Sequence, residues 1–71
     1  MNEAMMIKWI RVEAGDYWSD DDRFHIIKTY DRLYGNHWHL MDHMKGAEFR
    51  GDSLKQCKSV ASEWFVKGVT K

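Results

Sequence analysis

Two β-rich runs with the same side-chain phase decide most of what this chain can become. Between Arg23 and Tyr30, Phe24 and Ile26 stand two residues apart; between His37 and Met44, so do Trp38 and Leu40, with Met44 in the same phase. Successive side chains of a strand point to opposite faces, so each run buries one face and leaves the other to water. Asp31 to Asn36 joins them as a turn, in which Gly35-Asn36 takes positive φ at low cost. The core face is then Phe24, Ile26, Trp38, Leu40 and Met44, with Asp42 as a misfit in the same phase. The opposite face carries Arg23, His25, Ile27 and Thr29 beside His37, His39, Met41 and His43.

The flanking segments extend this hairpin. Ile7 to Glu13 is β-rich, Gly15-Asp16 breaks it, and Tyr17-Trp18 resumes extended structure before the turn chemistry of Ser19 and Asp20-Asp21-Asp22. The first strand has apolar residues in both phases; with Ile10 and Val12 on the core, Trp9 and Arg11 join the outer face. Lys45 to Asp52 reads as a loop with two glycines. Ser53 then opens a helix as N-cap, with Gln56 at capping-box spacing. Leu54, Cys57, Ala61, Trp64 and Gly68 recur every three to four residues, widened by Val60 and Phe65, so one face of residues 53–67 lies on the sheet. The expected fold class is α+β, an antiparallel three- to four-stranded β-meander packed against one C-terminal α-helix. Residues 1–71 form a single domain, with 1–6 a frayed arm, 7–44 the meander and 53–67 the helix.

Composition limits what such a fold can do. At 71 residues the chain supports one core, and folding at this size buries only about 60% of the unfolded surface. Four Trp, three Tyr and three Phe in a chain that is 44% hydrophobic argue against disorder. Eleven basic residues balance eleven acidic ones, so net charge draws the chain neither to nucleic acid nor to a membrane surface. Cys57 stands alone, which rules out an internal disulfide and fits a reducing cytoplasm. No signal-peptide pattern is present, and no apolar run approaches the roughly 20 residues that span a bilayer.

Each chemical motif has a plainer explanation. His37-x-His39 puts two imidazoles on one side of a strand and His25 would add a third ligand across the hairpin, but no Cys pattern completes a zinc site, and partly exposed surface histidines account for them more cheaply. Cys57 belongs to the buried helical stripe and reads as a small hydrophobe. Asp20-Asp21-Asp22 lacks the glycine and distal glutamate of a calcium loop and reads as a solvated turn. With no nucleophile motif, phosphate loop or shared carboxylate pair, neither enzymatic activity nor a cofactor or metal is expected.

What remains is the outer face, where Trp9, Arg11, Arg23, His25, His37, His39 and Met41 are the candidate partner-binding residues. Aromatic, Arg and Met side chains are enriched at interfaces. The pattern Trp9, Gly15-Asp16-Tyr17, Asp22-Arg23-Phe24-His25-Ile26, Trp38-His39-Leu40 and Ser53-Leu54-Lys55 resembles short β-meander-plus-helix proteins encoded by bacteriophages and prophages. The likeness runs from about Lys8 to Trp64, and departs from the pattern at Asp22, where a turn glycine is usual, and at Gln56-Cys57, where Glu-Ala is usual. With the small size and the absence of catalytic groups, it points to a phage or prophage accessory protein, cytoplasmic in its bacterial host, that binds and sterically blocks a host protein or protein–nucleic-acid complex, most concretely a CRISPR effector. The alternative is a DNA-binding domain that uses the exposed face of its β-sheet, with Arg11, Arg23 and Lys28 on phosphates or base edges and Trp9 stacking, by topological likeness to three-stranded DNA-binding sheets. The edge strand at Ile7 to Glu13 would also allow a homodimer across a twofold axis.

Overall fold

The computed structural model describes residues 7–69, with side-chain burial through Lys67; the arm at Met1–Met6 and the burial of Gly68 lie outside the described residues. Five strands, β1 (Trp9–Glu13), β2 (Asp16–Ser19), β3 (Phe24–Asp31), β4 (Gly35–Asp42) and β5 (Ala47–Gly51), form one antiparallel sheet in sequence order. The helix α1 (Leu54–Val69) follows and lies over β3, β4 and β5. The α+β meander with a C-terminal helix is therefore as expected, with one strand more than the three or four foreseen. The extra strand is β5, inside the segment read as a loop.

Every connection is short and locally specified. Gly15 turns β1 into β2 at φ +81°, a region that costs glycine nothing. Between β2 and β3, the Ser19 hydroxyl donates to Asp21 Oδ1 at 2.6 Å and accepts from the Phe24 N–H at 2.9 Å, while the Arg23 N–H donates to the same Asp21 oxygen. Asp22 sits in this turn at φ +64°, the one non-glycine residue with positive φ among those described. Between β3 and β4, Asp31 Oδ1 accepts the Leu33 and Tyr34 N–H groups, the side-chain mimicry of a backbone turn that favours Asp there. At the start of α1, Ser53 Oγ accepts the Gln56 N–H at 3.1 Å and Gln56 Oε1 accepts the Asp52 N–H at 2.7 Å, so the capping box closes one residue further out than the usual reciprocal pair.

The core confirms the strand phase. Phe24, Ile26, Leu40, Cys57 and Ala61 are fully buried, and Trp9, Tyr17, Trp38, Phe49, Leu54, Val60, Trp64 and Phe65 are among those that pack around them. Asp42 is buried as well, and its partners explain the misfit. Its carboxylate takes the Arg23 guanidinium on both oxygens at 3.1 Å and accepts the Met44 and Lys45 N–H groups that shape the β4–β5 turn. Met44, placed in the core by phase, is instead 71% exposed, because β4 ends at Asp42 and the alternation ends with it.

Candidate binding face

Register fixes which side chains share the outer face. Directly opposed residues of antiparallel strands point to the same side. Ile10 stands opposite Trp18, Trp18 opposite His25, and His25 opposite Met41; further along the hairpin, Ile27 opposes His39 and Thr29 opposes His37. Of the seven candidate residues, His25, His37, His39 and Met41 therefore lie together on the face away from the helix.

The other three do not. Trp9 stands opposite Ser19 and contacts the Phe24 ring, with centroids 6.4 Å apart, so it belongs to the helix side. Arg11 opposes Tyr17, which opposes the buried Ile26, and is carried to the same side. The phase chosen for β1 is thus reversed: Ile10 and Val12 are 50% and 58% exposed. Arg23 precedes the first residue of β3, so the strand alternation does not govern it; its side chain lies over the Phe24 ring at 4.6 Å and pairs with Asp42.

One end of the outer face is a stacked aromatic group. The Trp18 indole lies against the His25 ring at 4.0 Å and 13°, and against His43 at 5.4 Å and 11°. His25 Nε2–H donates to Asp16 Oδ1 at 2.8 Å, which fixes the imidazole edge-on to β2 and leaves its plane to the indole. Ile10 and Val12 flank Trp18 and His43 around a shallow, mainly apolar depression. Sequence reading placed His25 and His43 on this face but passed over Trp18; the signal was there in its phase, two residues from Asp16 and opposite to Tyr17.

The other end is polar. His37 Nδ1–H donates to the Gly35 carbonyl, and His39 Nε2–H donates to Glu48 Oε1 at 3.3 Å. Arg50 lies 3.8 Å above the Tyr34 ring, tying β5 to the tip of the β3–β4 hairpin. Thr29, Asp31, His37, His39, Glu48 and Arg50 line a depression here. The three-histidine zinc arrangement is not assembled: His25 opposes Met41, and its ring nitrogen is taken by Asp16. Among the described residues no three His, Cys, Asp or Glu side chains are grouped to hold a metal ion.

Cys57 is buried on the sheet-facing side of α1, its thiol donating toward the Trp38 carbonyl at 3.7 Å, and burial pushes the thiol up to about 11. No helix among the described residues is long and apolar enough to cross a membrane. Comparison with protein families, curated proteins and solved structures finds no match to this chain.

Proposed function

We propose that this chain is a non-enzymatic binding protein whose outer sheet face docks on a partner protein and blocks it sterically. The observation that carries this reading is the Trp18–His25–His43 stack with Ile10 and Val12 beside it, a preformed aromatic and aliphatic surface that no described element covers. Flat aromatic groups held by neighbours lose little side-chain freedom on binding, which is why they anchor interfaces. Met41 lies beside His25, and His39 and His37 extend the same surface toward the hairpin tip. In its most concrete form the partner is a nucleic-acid-targeting defence complex of a bacterial host, such as a CRISPR effector, and the protein a phage or prophage accessory inhibitor acting in the cytoplasm. The resemblance to phage-encoded meanders and the small size support that version.

Duplex DNA on this face is the weaker reading. The strand positions of the outer face offer one Arg, Arg50, and no Lys, against Glu13, Asp16, Asp31 and Glu48. Phosphate binding draws on several cations, and Arg11, Arg23 and Lys28 point elsewhere.

The test compares tagged wild type with Trp18→Ala and Ile10→Lys in pull-downs from bacterial lysates that contain a CRISPR effector, and in plaque assays on immune cells. The wild type should retain one stoichiometric protein and restore plaques, and the variants should do neither while keeping their melting temperatures. Capture that survives both substitutions removes the outer face from the function.

A further inference from the structure

The cations missing from the outer face gather on the other side. Because α1 lies over β3, β4 and β5, the helix side of β1 and β2 is left as a shelf beside the helix flank. Trp9 and Tyr17 form the shelf, and Lys58 reaches over it from α1, its Nζ 5.9 Å from the Trp9 ring and 5.3 Å from Tyr17. Lys28 does the same one strand further along, its Nζ 5.9 Å from Trp38, whose ring lies 6.3 Å from Tyr17. Arg11, opposite Tyr17, adds a third cation at the sheet edge.

This strip is electrostatically one-sided. Helix-side strand positions of β1, β2 and β3 are Trp9, Arg11, Tyr17, Ser19, Phe24, Ile26, Lys28 and Tyr30, and none is a carboxylate. Arg11, Lys28 and Lys58 take no part in the ion pairs Arg23–Asp42, His25–Asp16 and His39–Glu48, and Lys28 and Lys58 lie over aromatic faces. Among the described residues, three cations without an ion-pair partner are thus set beside three large rings, in a chain of zero net charge. That pairing of ring faces with a cationic track is what an unpaired nucleic-acid strand uses: phosphates meet the cations and bases meet the π faces.

We infer that the strip formed by Trp9, Arg11, Tyr17, Lys28, Trp38 and Lys58 binds single-stranded DNA. Duplex is a poorer fit, because its bases are closed to the rings. Of these six side chains only the Tyr17 phenol can accept a hydrogen bond from a ribose 2′-hydroxyl, the group that distinguishes RNA. The strip is separate from the proposed protein-binding face, and the two stand or fall independently.

The probe is a fluorescein-labelled oligothymidylate of 20 nucleotides, followed by anisotropy in low salt. Saturable binding is expected, with a log–log salt slope of about −2 for three phosphate contacts on a single strand. Lys28→Ala and Lys58→Ala should each flatten that slope by about 0.7 and together weaken binding at least tenfold. Arg50→Ala and Trp18→Ala, on the outer face, should change nothing. Lys28 is exposed, so its variant folds whatever Lys58→Ala does, and a thermal melt of each variant verifies this. No saturable binding at about 100 µM protein would sink the inference. So would equal affinity for polyglutamate, an unchanged slope in Lys28→Ala, or loss of binding in Arg50→Ala. Tighter binding of oligouridylate or of duplex would overturn the choice of strand.

Discussion

Arg23 and Asp42 are joined by two parallel hydrogen bonds, Nε to Oδ1 and Nη2 to Oδ2, each 3.1 Å long, across the β3–β4 pair where the core meets the turns. The carboxylate is 1% exposed and the guanidinium side chain 11%. A charge at that depth is tolerated because both oxygens are occupied, by Arg23 and by the Met44 and Lys45 N–H groups. Removing Arg23 leaves the carboxylate buried with only part of its partners. Arg23→Ala is expected to cost roughly 3 kcal/mol in urea unfolding, and a cost below about 1 kcal/mol would show the pair to be dispensable.

The same pair sets an acid limit. Burial pushes the Asp42 carboxyl up, but the Arg23 guanidinium and the Lys45 and Met44 N–H groups outweigh it and hold the group below the usual carboxylate range. Asp21 is held low as well, chiefly by the Ser19 hydroxyl. A depressed folded value contributes stability that is complete above the unfolded value, near pH 4, and is lost as pH falls through the folded one. The wild-type melting temperature should hold down to about pH 4 and then drop. In Arg23→Ala the acid decline should be smaller, because the folded Asp42 carboxyl loses the cation that helps hold it low, and coincident profiles would contradict this account.

Asp22 occupies left-handed backbone where a glycine would rest without a Cβ penalty, and its side chain makes no hydrogen bond or ion pair among the described residues. Asp22→Gly should therefore raise the melting temperature by a few degrees, a gain of about 0.5 kcal/mol after the extra freedom glycine has in the unfolded chain. A lower melting temperature would mean that Asp22 contributes something the turn geometry does not show.

Gly51 is buried where β5 turns toward the helix, and a Cβ built there would stand 2.9 Å from Cys57 Sγ and 3.0 Å from the Phe49 ring. Gly51→Ala should destabilise by about 1–3 kcal/mol through overpacking. Adding Cys57→Ala should recover part of that loss, because the sulfur is the nearest obstacle. Additive losses would locate the clash elsewhere.

The Cys57 thiol, pushed up to about 11 by burial, should resist thiol reagents at pH 8 in the folded protein and react at once in denaturant. A raised folded value means that stability is full below the unfolded thiol value and is lost as pH climbs toward the folded one, so the melting temperature should decline between about pH 9 and pH 11. Rapid labelling of native protein would show that the helix does not seal the sulfur.

The hairpin at the centre of the sheet was readable because Phe24, Ile26, Trp38 and Leu40 are apolar in one phase while histidines fill the other. β1 was not, because Trp9 on one phase and Ile10 and Val12 on the other are all apolar, and only pairing with β2 decides between them. β5 escaped because Ala47–Gly51 holds a single large apolar residue between two loop glycines, and becomes a strand by pairing Phe49 with Leu40. Arg23 and Met44 were misplaced by carrying alternation past the strand ends. The lone charge of Asp42 in an apolar phase was the legible trace of Arg23's true position. Of the cationic strip, Arg11, Lys28 and Trp9 were legible as nucleic-acid contacts but were assigned to the opposite face, and Lys58 was not, since it lies 49 and 41 residues beyond Trp9 and Tyr17.

Buried positions on β3 and β4 stop at Ile26 and Leu40, although the ladder continues through Lys28–Trp38 to the Asp31–Gly35 closure. Past Trp38, which still pairs with Gly51, the last three pairs form a two-stranded ribbon held by its own rungs and by Arg50 on the Tyr34 ring. Amide exchange there should report local opening at a free energy well below global unfolding, with protection climbing from the tip toward Phe24. An element that opens alone can be reshaped by whatever grips it, and the remainder of the fold need not respond.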